Sequence, residues 1–168
     1  MTSKDEPLFD SNEELEPAPS GDPADLERRI RLLVEGQPYA VLCTQSKTQP
    51  YGSLVAFAFS DDLKRAVLAT PVATRKYRIL SECRHVALLI DSRPDHQDDF
   101  MSVEAITATG RATLLDKSTD VERWARLLVA RHPYLDSFIA APSCALFRID
   151  IVRFFHVARF QEVRQWTP

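Results

Sequence analysis

A chain of 168 residues, 45% hydrophobic and 27% charged, carries enough apolar material for one globular domain with a sizeable core. Its formal net charge of −3 is uneven: residues 1–22 hold seven acids and one lysine, leaving 20 basic against 17 acidic residues, too weak a basic excess for a nucleic-acid surface. Cys43, Cys83 and Cys144 are scattered with no CxxC pair, which points to neither a disulfide framework nor a zinc site. No apolar run approaches the ~18 residues of a membrane span. The acidic start is unlike a secretory signal, so the expectation is a cytoplasmic protein without membrane attachment.

In chain order, residues 1–22 combine acidity, scattered proline and low hydrophobicity, and read as a disordered tail before a domain at 23–168. Asp22 caps a helix with Pro23 at its first position; Leu26, Ile30 and Leu33 recur at helical spacing until Gly36 stops it. From Pro38 the period changes. YAVLCT, YGSLVAFAF and AVLAT read as three consecutive antiparallel strands joined by the turns SKTQP and SDDLKR. A short helix follows from Thr74 to about Cys83, then HVALLID, apolar enough to be a strand buried on both faces. RPDHQDDF is a polar loop; its Asp and His mixture lacks the oriented ligand set of a metal site, and none is expected. SVEAITATGRATLLD reads as a long strand with a bulge or bend at Gly110. Thr119 and Glu122 form a capping box for a helix with Val121, Trp124, Leu127 and Leu128 on its core face. Pro133 breaks that helix, a further turn or two follows, and CALFRIDIVRFFHVARF is a strand pair or one long bent strand. Hairpin order without strand-helix-strand regularity predicts an α+β, mainly β, fold: an antiparallel barrel with flanking helices.

The helix after Thr74 is unusual in its charge. Arg75, Lys76 and Arg78 crowd a first turn that already carries partial positive charge and unpaired N–H groups. An anion, most simply phosphate, held by that helix start, the Thr74 hydroxyl and the Arg75 and Lys76 side chains would compensate; a solvated basic helix end is the alternative. Catalytic constellations are missing elsewhere. Ser53 lacks a GxSxG context, Cys43 and Cys144 lie in apolar strand runs as packing residues, and His85, His132 and His156 are scattered. No GxGxxG or GxxxxGK sequence is present.

Residues 49–91, QPYGSLVAFAFSDDLKRAVLATPVATRKYRILSECRHVALLID, resemble the flavin-binding heart of the pyridoxamine 5'-phosphate oxidase-like family, the FMN-binding split barrels. In that family a strand ending in Thr leads, after three residues, to Ser or Thr followed by Arg and Lys, here Thr70, Thr74, Arg75 and Lys76. The resemblance covers about residues 37–160 and implies a six-stranded antiparallel split barrel. It also implies a homodimer with FMN at the subunit interface, the phosphate held by Thr70, Thr74, Arg75 and Lys76, the ring along Ser53, Leu54 and Val55, and Ala69 among the cofactor-binding residues. Leu54 and Phe59 stand where pyridoxamine phosphate oxidases proper carry Arg and Lys, and their carboxy-terminal Arg and His signature is missing, which argues against pyridoxamine phosphate as substrate. Ile79 replaces an Asn common among relatives. The chain is more similar to the haem-utilisation and flavin-reductase side of the superfamily, where haem-degrading members usually bear an extra carboxy-terminal domain that this chain is expected to lack.

The function this implies is an FMN-dependent oxidoreductase moving electrons or hydride between NAD(P)H and a small-molecule acceptor, chemistry in which the protein chiefly positions the flavin. Two alternatives use the same pocket: a flavin or haem carrier or sensor without turnover, and a deazaflavin-dependent reductase whose acidic tail would engage Arg78 and Arg84. Substrate contacts are expected from residues 92–100, from helix 119–132 and from the partner subunit.

Overall fold

The computed structural model describes residues 22–116, 119–159 and 162–168, so the tail expected over residues 1–22 lies, apart from Asp22, outside the described residues. Helix α1 spans Pro23–Gly36, and strands β1 (Tyr39–Ser46), β2 (Gln49–Phe59) and β3 (Arg65–Pro71) form the expected antiparallel succession. Helix α2 (Arg75–Glu82), β4 (His85–Asp91), β5 (Ala105–Leu115), α3 (Thr119–Arg131), the short α4 (Asp136–Ala140), β6 (Cys144–Ala158) and β7 (Glu162–Trp166) follow. The sheet runs β3-β2-β1-β4-β5-β6-β7, and β3 also pairs with β6, closing the first six strands into an antiparallel barrel with β7 as an extra strand.

Closure depends on β6, which at 15 residues is long enough to serve three neighbours. Its first half pairs with β3 from Pro71↔Cys144 to Arg65↔Asp150, its last residues pair with β7, and β5 follows it along most of its length. Between these roles the strand bends. The register jumps from Thr109↔Arg153 to Gly110↔Ile151, so the extra residue of the bulge is Val152 in β6, and Gly110 lies opposite it. A Cβ at Gly110 would sit 2.5 Å from the Asp150 carbonyl oxygen and 2.8 Å from Ile149 Cγ2. Only glycine admits so close an approach.

The inner faces of the strands and two helices share one core. Leu26, Ile30, Leu33 and Val34 of α1 join Leu42, Phe57, Val86, Leu88, Ile106, Phe147 and Phe154, and Leu80 brings α2 into the same cluster. Outside the barrel, Trp124 and Leu128 of α3 pack on Ala58, Val67 and Leu146 as a second cluster. Arg131 ties the two layers: its Nη2 donates to the carbonyls of Val34, Glu35 and Gln37, satisfying the open C-terminus of α1, while its guanidinium lies 5.1 Å from the Phe57 ring centroid.

Helix α1 ends at Gly36 as expected, and Gln37 follows in an extended conformation. Several other expectations change. Strand β4 is not buried on both faces: Val86, Leu88 and Ile90 enter the core while Ala87 and Leu89 are half-buried on the outer face. Cys43 is exposed on that same outer face, because side chains alternate and its neighbours Leu42 and Thr44 take the inside. The expected cap at Thr119 falls on a side chain outside the description; α3 starts at that residue. Among the described residues, no helix is long and apolar enough to cross a membrane.

A polar chain links α1 to the sheet. His156, fully buried on β6, lies 2.7 Å from Glu104 through Nε2; Arg29 donates to the other Glu104 oxygen at 2.7 Å and to Asp25 at 3.2 Å. Burial pushes the His156 pKa down despite the pull of Glu104, and Arg164 and Arg29 add to the decrease. The neutral ring donates from Nε2, leaving Nδ1 buried without a partner.

Two outcomes follow from this architecture. Gly110→Ala lowers the urea unfolding free energy by about 1–3 kcal/mol through overpacking at the bulge. Because unfolded His156 takes up a proton at the ordinary pKa and folded His156 only below it, its contribution to stability is level above about pH 6.5 and falls on acidification. The drop between about pH 7.5 and 5.5 is smaller in His156→Asn, read from urea midpoints.

Candidate functional site

Strand β3 ends in Ala69, Thr70 and Pro71, and a three-residue turn leads into α2. Thr74 is the N-cap: its Oγ1 accepts from the Tyr77 N–H at 3.2 Å. The same oxygen lies 2.8 Å from the Pro71 carbonyl and 2.9 Å from Thr70 Oγ1. With one hydroxyl proton available, Thr74 donates to Pro71 and receives from Thr70. Thr70 is only 1% exposed, so this pair is spent inside the protein on fixing where the helix begins. The N–H groups of Arg75 and Lys76 are then the open donors of a first turn that contains no acid.

Lys76 leans over the barrel rather than into solvent. It is half-buried, and its Nζ donates to the Leu54 carbonyl of β2 at 3.1 Å, while burial lowers its pKa. The helix start and the strand expected to carry the ring therefore meet directly. Along that strand the alternation separates the three residues. Leu54 points outward at 67% exposed, Val55 is buried in the core, and Ser53 turns inward with a buried Oγ that has no hydrogen-bond partner. Ala69 packs against the α3 cluster instead of joining this contact. Phe59 is a core residue, its ring edge-on to Phe57 at 5.7 Å.

Residues without a motif complete the site. Tyr51 lies beneath the Arg75 guanidinium, 5.6 Å from ring centroid to Cζ. Tyr51, Ser46 and Gln49 of the β1–β2 hairpin and Arg75, Arg78, Ile79 and Glu82 of α2 line a cleft of about 270 Å³. The alternation Gln49, Tyr51, Ser53 was a legible signal for a shared strand face, but not for what lies opposite. A larger cleft of about 510 Å³ lies by α1, where Arg29 pairs with Asp25 and Glu104, Arg164 with Asp25, and Arg159 with Glu162. Those charges satisfy one another. The histidines remain apart: His132 bridges the Phe57 carbonyl at 2.9 Å and Tyr134 at 3.2 Å, far in sequence and partner from the His156–Glu104 pair. Among the described residues, no group of three metal-ligating side chains occurs.

An acid-free helix start and a lysine poised on a strand carbonyl form a donor set that fits a phosphate-bearing cofactor, whereas the orphaned Ser53 hydroxyl is buried on the other face of β2 from Leu54 and takes no part in it. On the outer sheet, pairing aligns Leu54, Val41, Leu89, Thr107 and Phe155 in one row.

The profile described as pyridoxamine 5'-phosphate oxidase matches residues 26–158. No curated protein sequence matches this chain. Solved structures share its fold: a heme-binding protein from Mycobacterium smegmatis (TM-score 0.75, 14% identity) is similar over 88% of this chain and 59% of its own. ChuZ from Campylobacter jejuni (TM-score 0.75, 6% identity) is similar over 88% and 61%, and a FAD-binding protein from Mesorhizobium loti (TM-score 0.62, 14% identity) over 77% and 90%. The chain thus spans about six tenths of the length of the first two. With more than three quarters of its length matched to one profile and its strands closed as described, the chain belongs to the pyridoxamine 5'-phosphate oxidase-like family of split barrels.

Proposed function

We propose that this protein binds FMN, with the phosphate at the start of α2 and the ring along the outer face of β2, and works as an oxidoreductase between NAD(P)H and a small acceptor. The observation that carries the reading is the Lys76–Leu54 contact, which brings the acid-free helix N-terminus onto an exposed apolar strand. Arg75 and Lys76 supply charge and backbone donors to the phosphate; Thr70 and Thr74 hold the helix start in place; Leu54 offers an apolar surface and its backbone to the ring. Bound flavin supplies the redox chemistry, which leaves the chain the tasks of binding, orienting and excluding water. Buried Phe59, standing at the end of the strand where pyridoxamine phosphate oxidases proper carry a basic residue, argues against that substrate. Three unpaired cysteines suit a cytoplasmic setting.

A flavin or haem carrier is the second reading, favoured by the heme-binding protein among the structural neighbours and by the lack of an acid–base pair at the site. Steady-state oxidation of NADH or NADPH by flavin-saturated protein separates the two, since a carrier shows no turnover.

The reading includes a homodimer. The row Leu54, Val41, Leu89, Thr107 and Phe155 is an apolar stripe on the outer sheet, with Leu54 largely exposed, and a second copy laid across it would cover both the stripe and a ring bound on β2.

Two measurements test these assignments. Arg75→Ala with Lys76→Ala weakens FMN binding about a hundredfold, followed by flavin absorbance and fluorescence, while the far-ultraviolet spectrum is unchanged; undiminished binding would remove the phosphate site from α2. Sedimentation gives twice the chain mass for the native protein and one chain mass for Val41→Glu, which loses FMN with the interface; a native monomer refutes the shared site.

A further inference from the structure

A run of hydrogen bonds leads from the interior to the surface at the Phe57 end of β2. His132, 2% exposed, follows α3 and sets its Nε2 2.9 Å from the carbonyl of Phe57, one residue beyond Ala56, where the pairing of β2 with β1 stops. Its Nδ1 lies 3.2 Å from the Tyr134 hydroxyl, and that hydroxyl lies 3.1 Å from the hydroxyl of Tyr39. Tyr39 also stacks on the imidazole, with the ring planes 19° apart. Both tyrosines are exposed, Tyr134 at 63% and Tyr39 at 46%.

The buried end of this run fixes where its protons point. A carbonyl oxygen only accepts, so the imidazole carries its proton on Nε2, and in the neutral ring Nδ1 can then only accept. Tyr134 therefore donates to His132 and, its single proton spent, accepts from Tyr39. The hydrogen bond with Tyr39 raises the Tyr134 pKa, which keeps that phenol protonated. Both hydroxyl protons are turned inward. A free tyrosine hydroxyl rotates to suit either kind of partner, whereas this pair presents two oxygens that accept and do not donate.

Position links the pair to the site on β2. Tyr39 stands opposite Ala56 on the outer face of the sheet, as Val41 stands opposite Leu54. The tyrosines therefore lie one cross-strand pair, about 7 Å, beyond Leu54, on the side away from Tyr51 and Arg75. We infer that Tyr39 and Tyr134 form an acceptor-only subsite that selects a planar co-substrate bearing an N–H donor, the carboxamide of a nicotinamide, and holds that ring at the end of the strand face assigned to the flavin. The inference rests on the reading above and names the residues that choose the electron donor. The carboxamide N–H donates to the Tyr39 oxygen, with Tyr134 beside it; His132 touches no ligand and acts as a positioning residue by holding both hydroxyl protons inward. A ring with only a carbonyl in that place meets lone pairs and no donor, so the subsite rejects it.

The test is calorimetric titration of the FMN-loaded full chain with NAD⁺, NADP⁺ and the acetylpyridine analogue of each, in which a methyl ketone replaces the carboxamide. All of these are oxidised, so binding is read without turnover. The native protein binds the better of NAD⁺ and NADP⁺ about tenfold more tightly than its analogue. Tyr39→Phe abolishes the difference by weakening the carboxamide ligand. Tyr134→Phe frees the Tyr39 proton to turn outward and narrows the ratio to about twofold by strengthening the analogue, a change that lost packing would not produce. Each variant removes one hydroxyl from an exposed ring, so FMN affinity and melting temperature stay native. Equal native binding of carboxamide and ketone forms, or the full ratio retained in Tyr39→Phe, overturns the subsite while the oxidoreductase reading stands. Loaded protein that binds no dinucleotide overturns the subsite and the NAD(P)H part of that reading, and protein that takes up no FMN overturns both entirely.

Discussion

Everything in this barrel hangs on one strand having three partners. β6 must leave β3 where it has closed the barrel and continue beside β5 to meet β7. The extra residue at Val152 supplies the bend, and Gly110 supplies the space for it, because the Asp150 carbonyl occupies the volume a side chain there would need. Without that bend, the β3–β6 ladder and the β6–β7 ladder would compete for one straight edge. Closure in turn gives β3 a fixed end at Pro71, and the end of β3 sets the start of α2.

The site inherits its geometry from that chain of constraints. Thr70, at the buried end of β3, donates to Thr74, and Thr74 caps α2 while bonding back to Pro71. The two hydroxyls therefore act on the position of the helix, and the donors left facing outward are backbone N–H groups and basic side chains. This division suits phosphate binding physically. A rigid set of N–H groups needs no reorganisation when an anion arrives, and the flanking cations add charge without needing a unique rotamer. The same rigidity lets neighbouring cations serve opposite sides of one short helix, Lys76 towards β2 and Arg75 with Arg78 towards the hairpin.

Much of this was legible in residues that act locally. Asp22 before Pro23, and Thr74 before a short amphipathic run, are capping signals whose partners lie two or three residues away, and both caps form. Short β-rich apolar runs separated by turn segments marked β1, β2 and β3. Gly110 was recognisable as a bulge position, though the inserted residue proved to belong to β6, since a bulge is a property of a pair of strands. Where a residue's role depends on distant neighbours, sequence reading failed. Cys43 looked like core and is exposed; β4 looked buried on both faces and presents Ala87 and Leu89 outward; Arg84 looked available to a ligand and is bound to β5.

The sequence by itself determined the elements, their order, the capped and acid-free start of α2 and the resemblance that named the family, because capping, periodicity and turn chemistry act over fewer than about ten residues. Only the tertiary structure decided which face of each strand is covered, that Lys76 meets Leu54 across 22 positions of chain, and that Arg75 and Arg78 share a cleft with the hairpin. Those outcomes follow from closing β3 on β6, where Arg65 meets Asp150, and no local propensity encodes a pairing between segments so far apart.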